Sequence, residues 1–246
     1  MFAACVGNLR HMSEPGASEP DQAAAGADPA YRAAVADLLG ALAYAELTAF
    51  SRLASDADLA PSLSAKAELA RFAVAEFGHF ERLRRRLQDL GTDPDAAMEP
   101  FVAALDAFHD RTAPQTWLEG LVKAYVGDGI ARDFYREVSA YLDDDTHQLV
   151  TSVLEDEGHA EFVVREVRQA VAADPRVSGR LALWARRLVG EALSQAQRVA
   201  ADRDGLTALL VGGLDRSGAD LAALVSMFHR LTEAHSRRMS SLGLSA

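Results

Sequence analysis

Cysteine is nearly absent from this chain of 246 residues, since Cys5 is the only one. A single cysteine excludes an intramolecular disulfide and favours a reducing compartment. No uninterrupted apolar run approaches the roughly 18 residues that a membrane span requires. The first ten residues also lack the basic segment and the long apolar segment of a signal peptide. We therefore predict a cytoplasmic protein with no membrane partner.

Aromatic residues make up only 7% of the chain and β-branched residues are few, whereas Ala and Leu are abundant, so helices are favoured over strands. No segment alternates convincingly between apolar and polar residues, as a half-buried strand would. Apolar residues make up 49%, enough for a substantial core. The sequence therefore predicts an all-α fold. Its formal net charge of −11 weighs against a broad nucleic-acid-binding surface.

The first part of the chain differs in composition from the rest. Residues 1–28 contain two prolines, several Ser and Gly residues, and four acidic residues against one Arg. Such a segment cannot bury enough apolar surface to fold. We predict a disordered tail over 1–28 and a single domain over 29–246.

Four long helices are predicted from apolar spacing and from capping residues at their ends. They span about 29–55, 62–90, 115–141 and 146–172. Their short connections favour antiparallel neighbours, which predicts a four-helix bundle over 29–172. A short helix is expected at 100–110. Further helical stretches at 177–201, 204–214 and 218–241 predict a C-terminal extension over 174–241.

Two short motifs pair a carboxylate with a histidine three residues later. Glu76 and His79 form the first pair, and Asp156 and His159 form the second. Residues three apart lie above one another on a helix, so each pair points at one small volume and can chelate a metal. Both pairs share their helix face with apolar residues, so they are expected to face the core.

A lone carboxylate precedes each pair by one helix, on that helix's apolar stripe: Glu46 before the first and Asp128 before the second. Burying four unpaired carboxylates would cost several kcal/mol each or keep them protonated. Two divalent cations would neutralise their four negative charges. Carboxylates from two helices and carboxylate-x-x-His pairs from two others are typical of di-iron and di-manganese helical bundles.

This order of ligand-type residues resembles the ferritin-like di-iron superfamily over residues 31–172. Within it, the stretch Gly127–Tyr135 and the C-terminal extension are most similar to bacterial MiaE-like tRNA hydroxylases. The usual pattern has Glu where this chain has Asp128 and Asp156, and the shorter Asp changes reach and bridging. The resemblance implies that the metal ligands are Glu46, Glu76, His79, Asp128, Asp156 and His159. It leaves Glu155 as an alternative ligand or as a hydrogen-bond partner of a ligating imidazole.

The activity that the resemblance implies is that of a non-haem di-iron monooxygenase. Two Fe ions, with Mn as competitor, would use O₂ and electrons from an unidentified donor to hydroxylate an apolar group. In the MiaE-like family this group is the isopentenyl group of a modified tRNA adenosine. Glu76 and Asp156 would bridge the irons, with Glu46 and His79 on one and Asp128 and His159 on the other. An apolar lining for a small substrate is predicted from Phe50, Phe72, Phe77, Phe80 and Leu121.

Two other functions stay open: an iron-binding ferroxidase, and a metal-free scaffold for protein interaction. The run Arg82, Arg84, Arg85 and Arg86 is the best patch for tRNA docking, although a solvated helix face explains it as well. The oligomeric state is left open, with a homodimer as one alternative.

Overall fold

Helices make up all the regular secondary structure of the described residues in this computed structural model, which covers 28–155, 158–203, 205–206, 209 and 221–246. This confirms the all-α prediction. Nearly all of the predicted tail and of the predicted helix at 204–214 lies outside the described residues. The helices are α1 (Pro29–Asp56), α2 (Leu63–Asp89), α3 (Pro94–Arg111), α4 (Trp117–Val122), α5 (Asp128–Ser139), α6 (Asp144–Val153), α7 (His159–Ala173), α8 (Arg176–Asp202) and α9 (Leu221–Ser241).

The first three helices begin where the sequence supplies a cap. The Asp28 carboxylate accepts a hydrogen bond from the Ala30 amide at 2.9 Å, and Ser62 Oγ accepts one from the Ala65 amide at 3.2 Å. The helix predicted at 100–110 starts earlier, at Pro94, because Asp93 caps it and proline suits the first helical turn.

The third predicted bundle helix contains an irregular turn. Between α4 and α5 the chain forms a π-helical turn at Lys123–Gly127, directly before Asp128. A π turn adds a residue to one helical turn and rotates the side chains that follow it, and such turns are frequent at functional sites. The face on which α5 presents its side chains is therefore set by this turn.

The fourth predicted bundle helix is interrupted, so the expectation of an unbroken helix over 146–172 was wrong. Helix α6 ends at Val153 and α7 begins at His159. Gly158 has a φ of 88°, in the left-handed region that glycine adopts readily and in which an α-helix cannot continue. Glu155 is exposed in this break, and Asp156 lies outside the described residues.

Two apolar clusters fill the interior. The first includes Leu38 and Leu42 of α1, Leu83 of α2, and Val150 of α6. The second cluster includes Leu53, Leu69, Phe72, Leu121, Val163, Leu181 and Met239. Helices α8 and α9 contribute Leu181 and Met239 to the second cluster, so the C-terminal extension packs on the bundle.

One helical segment of the described chain, Pro29–Leu59, is long and apolar enough to cross a membrane. Its apolar side chains, however, are packed against α2 and α3, and a buried core helix has the same composition. The predicted absence of a membrane partner stays a prediction.

Helices α1 and α3 approach closely at Gly40. A Cβ atom at this position would collide with the backbone carbonyl of Ala97. We expect Gly40→Ala to destabilise the protein by ~1–3 kcal/mol, because a backbone atom cannot move aside as a flexible side chain does. The free energy of unfolding in urea measures this effect.

Gly190 is the matched control, since it lies exposed in the middle of α8 and a Cβ there would meet no atom within 4 Å. Gly190→Ala is expected to stabilise the protein by ~0.5–1 kcal/mol through helix propensity. Equal effects of the two substitutions would contradict the close approach at Gly40.

Candidate metal centre

Charged side chains lie between the two apolar clusters. On α1, Glu46 falls between Ala43 of the first cluster and Leu53 of the second. On α2, Glu76 and His79 fall between Ala73 of the second cluster and Phe80 of the first. Charged groups at this level of the bundle are shielded from water by apolar packing on both sides.

Glu46, Glu76 and His79 form a compact, buried group. Their exposed fractions are 7%, 2% and 4%. His79 Nδ1 lies 3.3 Å from Glu76 Oε2 and 3.4 Å from Glu46 Oε2, and one ligand atom from each residue lies within 4.8 Å of the others. The structure thus brings the first carboxylate-x-x-His pair together with the carboxylate predicted on the preceding helix.

The pKa values of this group depend on one another. Burial raises the pKa of Glu46 well above its ordinary value, and the neighbouring Glu76 adds to the rise. Burial also opposes ionisation of Glu76, but hydrogen bonds with Glu46 and His79 and the charge of Arg132 lower its pKa to about 2. For His79, burial favours the neutral ring, yet the two carboxylates outweigh it and raise the pKa to about 9.

These three residues fit a divalent metal. Carboxylate oxygens and an imidazole nitrogen are suitable ligands for Fe(II) and Mn(II). Glu46 Oε2 is buried and makes no hydrogen bond among the described residues, although it lies 3.4 Å from His79 Nδ1, and a bound cation would offset the cost of its burial. The buried Glu/Glu/His group is therefore a candidate metal site.

The other predicted ligands lie on the neighbouring side. His159 Nδ1 is 3.9 Å from Glu76 Oε1, and its ring stacks on Phe72 with centroids 3.8 Å apart. Asp128 lines a cavity together with His159. Burial, and then the charge of Glu76, raise the pKa of Asp128 to about 7. Because Asp156 lies outside the described residues, the second metal position stays a prediction.

Two basic residues of this region were missed in the sequence. Arg132 donates a hydrogen bond to Glu76 Oε1 at 3.1 Å. Arg132 lies four residues after Asp128, on the same helix face, and this spacing could have indicated that it faces the site. Lys123, in the π turn, is only 5% exposed and its ammonium lies 5.6 Å from the Phe108 ring centroid. Burial lowers the pKa of Lys123 to about 8 although Asp56 and Asp128 oppose the shift. Nothing in the sequence around Lys123 indicated that this side chain would be buried.

The predicted apolar lining is mostly, but not entirely, buried. Phe72, Phe80 and Leu121 are buried, whereas Phe77 is 40% exposed and packs its ring on Phe50. Phe77 therefore covers the outer side of the bundle at this point.

The predicted basic run on α2 makes contacts within the chain. Arg82 donates to Ser152, Arg84 pairs with Glu81, and Arg86 binds Asp143 and Thr146. Arg82 and Arg86 thereby fasten α2 to α6, whereas Arg85 is exposed and donates to the Glu81 carbonyl at 3.1 Å.

A cavity of about 240 Å³ opens beside the candidate metal site. His159 and Asp128 lie in its wall with the apolar residues Leu53, Phe72 and Val163. A molecule in this cavity would therefore lie next to the predicted metal ligands.

This architecture is similar to that of known proteins. The model of a family described as a ferritin-like domain of actinomycetes matches residues 29–213. A protein from Synechococcus with aldehyde deformylating oxidase activity has a similar structure, with a TM-score of 0.68 and 21% sequence identity over 90% of this chain and 94% of that chain. At this identity the likeness concerns the fold. The comparison with curated proteins gives no match.

These matches confirm the predicted fold, a ferritin-like four-helix bundle with additional C-terminal helices. The family match covers well over half of the chain and includes α1 to α8. The chain belongs to the family of ferritin-like domains of actinomycetes.

Proposed function

We propose that the protein is an iron-dependent oxidase or oxygenase that acts on a small molecule held beside its buried carboxylate and histidine ligands. The observation that carries this proposal is the group Glu46, Glu76 and His79, which is buried between apolar clusters and includes a carboxylate oxygen without a hydrogen-bond partner. The similarity in fold to a protein with aldehyde deformylating oxidase activity supports the same class of chemistry.

Glu46, Glu76 and His79 would hold one iron, and Asp128, Asp156 and His159 would complete a second position with Glu76 between the two. Mn is the competing metal. Iron bound by such ligands, with coordination positions left open, supplies O₂ activation, and an electron donor must be recruited from outside the chain.

The surrounding side chains have separate tasks. Phe72 stacks on His159 and fixes the plane of that ring. Arg132 binds Glu76 Oε1 and, after the hydrogen bonds with Glu46 and His79, contributes to the lowered pKa that favours the ionised form a ligand requires. The buried Phe72 and Leu121 exclude water from the reacting groups, which protects reactive species from side reactions.

A modified tRNA adenosine stays a candidate substrate with weaker support than a small molecule. The basic run that would dock tRNA is largely engaged in contacts with Glu81, Ser152 and Asp143. The cavity of about 240 Å³ also lies below the ~300–1,000 Å³ of pockets for drug-sized ligands. A small apolar group fits these dimensions better than a nucleoside does.

Removing a ligand of the buried group should abolish iron binding. We expect full-length protein reconstituted anaerobically with Fe(II) to retain iron, and the Glu76→Ala and His79→Ala variants to lose most of it, because the remaining ligands no longer surround the ion. Iron per chain, measured by elemental analysis after desalting, checks this expectation.

Glu68→Ala is the matched control, since Glu68 lies on the same helix, is 45% exposed and pairs with Arg71. This variant should retain as much iron as the parent. Iron content that is the same in all variants would show that Glu76 and His79 do not hold the iron, and no iron in the parent would leave the metal-free scaffold as the better interpretation.

Metal affinity should rise with pH. His79, with its pKa raised to about 9, holds a proton near neutral pH and must release it to bind a cation, and burial shifts the pKa of Glu46 in the same direction. We expect the affinity for Mn(II) to increase by about tenfold per pH unit for each proton released between about pH 6 and about pH 8. Titration calorimetry in buffers of different ionisation enthalpy measures both affinity and proton release.

The parent and the Glu68→Ala variant should show the same pH profile, since Glu68 is outside the group. An affinity for Mn(II) that does not change with pH, with no protons released, would show that these residues do not coordinate the ion.

A further inference from the structure

The cavity beside the candidate metal site receives an arginine from the C-terminal helix. Arg238, on α9, lies in the cavity wall with Arg132 and Arg136 of α5. It lies beyond residue 213, where the family match ends. Helix α9 thus adds a cation to the cavity that the matched part of the chain does not supply.

Gly129 makes room for this arginine. A Cβ atom at Gly129 would lie 2.7 Å from both Cδ and Nε of Arg238, so the guanidinium crosses α5 directly against the backbone. Gly129 is the neighbour of Asp128, one of the predicted metal ligands. Arg238 is therefore placed next to the candidate metal centre.

One edge of the guanidinium is engaged and the other is not. Nη1 of Arg238 donates to Asp133 Oδ2 at 2.6 Å, whereas Nε and Nη2 are buried without a hydrogen-bond partner among the described residues. Leaving charged donors unpaired in a buried place is costly. Asp133 thus fixes the orientation of Arg238, while Nε and Nη2 are left buried and unpaired among the described residues.

The pair Nε and Nη2 is the edge with which arginine binds both oxygens of a carboxylate. This chain contains an internal example, because Arg230 uses the same two atoms to hold the two oxygens of Glu137 at 2.7 and 2.6 Å. Arg238 presents the same edge without a carboxylate from the described residues.

Charged side chains of both signs surround the cavity. Its wall contains three arginines against Asp128 and Asp133, in a protein whose net charge is −11. Asp133 is shared between Arg238 and Arg136, at 2.6 and 3.6 Å. Arg132 pairs in addition with Glu76, so the acids and arginines of this region balance in number, and what marks Arg238 is its two unpaired donors.

The rest of the wall is apolar and small. Leu53, Phe72 and Val163 would contact the body of a ligand whose charged end lies at Arg238. A volume of about 240 Å³ accommodates a short chain.

We propose that this cavity binds a small organic carboxylate, with the carboxylate on Nε and Nη2 of Arg238 and the apolar chain directed toward His159 and the candidate metal site. The proposal names the substrate class of the proposed oxidase and rests on that function for the reaction, but not for the binding. Arg238 is a binding residue that selects a carboxylic acid and orients the chain that the metal centre would attack.

Binding of hexanoate to the full-length protein tests this proposal. Calorimetry should show hexanoate bound by the parent, and Arg238→Gln should weaken its binding by about tenfold or more, because the bidentate charged contact is lost. Arg237→Gln is the matched control, since Arg237 is the adjacent residue on α9, is 70% exposed and pairs with Glu233. Its affinity for hexanoate should equal that of the parent.

Further variants and ligands separate a binding role from a structural one. Hexanamide, uncharged and of the same shape, should bind at least about tenfold more weakly than hexanoate to the parent and equally weakly to Arg238→Gln. Arg238→Lys keeps the charge and the packing but lacks the bidentate edge, so it should fold as the parent does and still bind hexanoate more weakly. Thermal unfolding of each variant checks the fold.

Three results would overturn the proposal: no binding of hexanoate by the parent, equal binding by folded Arg238→Lys and the parent, or displacement of hexanoate by an equal concentration of inorganic phosphate. Iron content is measured on the same samples. Loss of iron with hexanoate binding intact would contradict the proposed oxidase and leave the carboxylate site in place, so the two ideas fail separately.

Discussion

The burial of Glu46, Glu76 and His79 between two apolar clusters is the constraint on which the rest of this bundle depends. Ionisable groups placed there cost free energy unless they are paired with one another or with a cation. The chain meets part of this cost with the Arg132 guanidinium on Glu76 and with the proximity of His79 to both carboxylates. A bound metal would meet the remainder, and the apolar clusters on either side would then keep water from it.

Both irregularities of the bundle occur at the level of this charged layer. The π turn at Lys123–Gly127 precedes Asp128, and the break between α6 and α7 precedes His159. Elsewhere the long helices α1 and α2 carry their ligands without interruption. Among the described residues, each of the two elements that supply the second half of the predicted metal site therefore contains an irregularity next to a predicted ligand.

The arginines near the candidate metal centre have different contacts. Arg82 and Arg86 fasten α2 to α6. Arg132 stabilises a predicted metal ligand. Arg238 reaches the same region from α9, which lies beyond the residues that the family model matches.

The sequence by itself determined the helical fold and the group Glu46, Glu76 and His79, because apolar spacing, caps and an i to i+3 pair act within single regular helices. It did not determine the break at Gly158. Gly78 and Gly158 each precede a histidine in the same local pattern, yet only Gly158 has a positive φ. Glycine permits both conformations at nearly equal cost, so packing between helices decides which one forms. The same holds for Arg132 and Arg238, whose partners lie 56 and 105 residues away along the chain and meet them only in the folded protein.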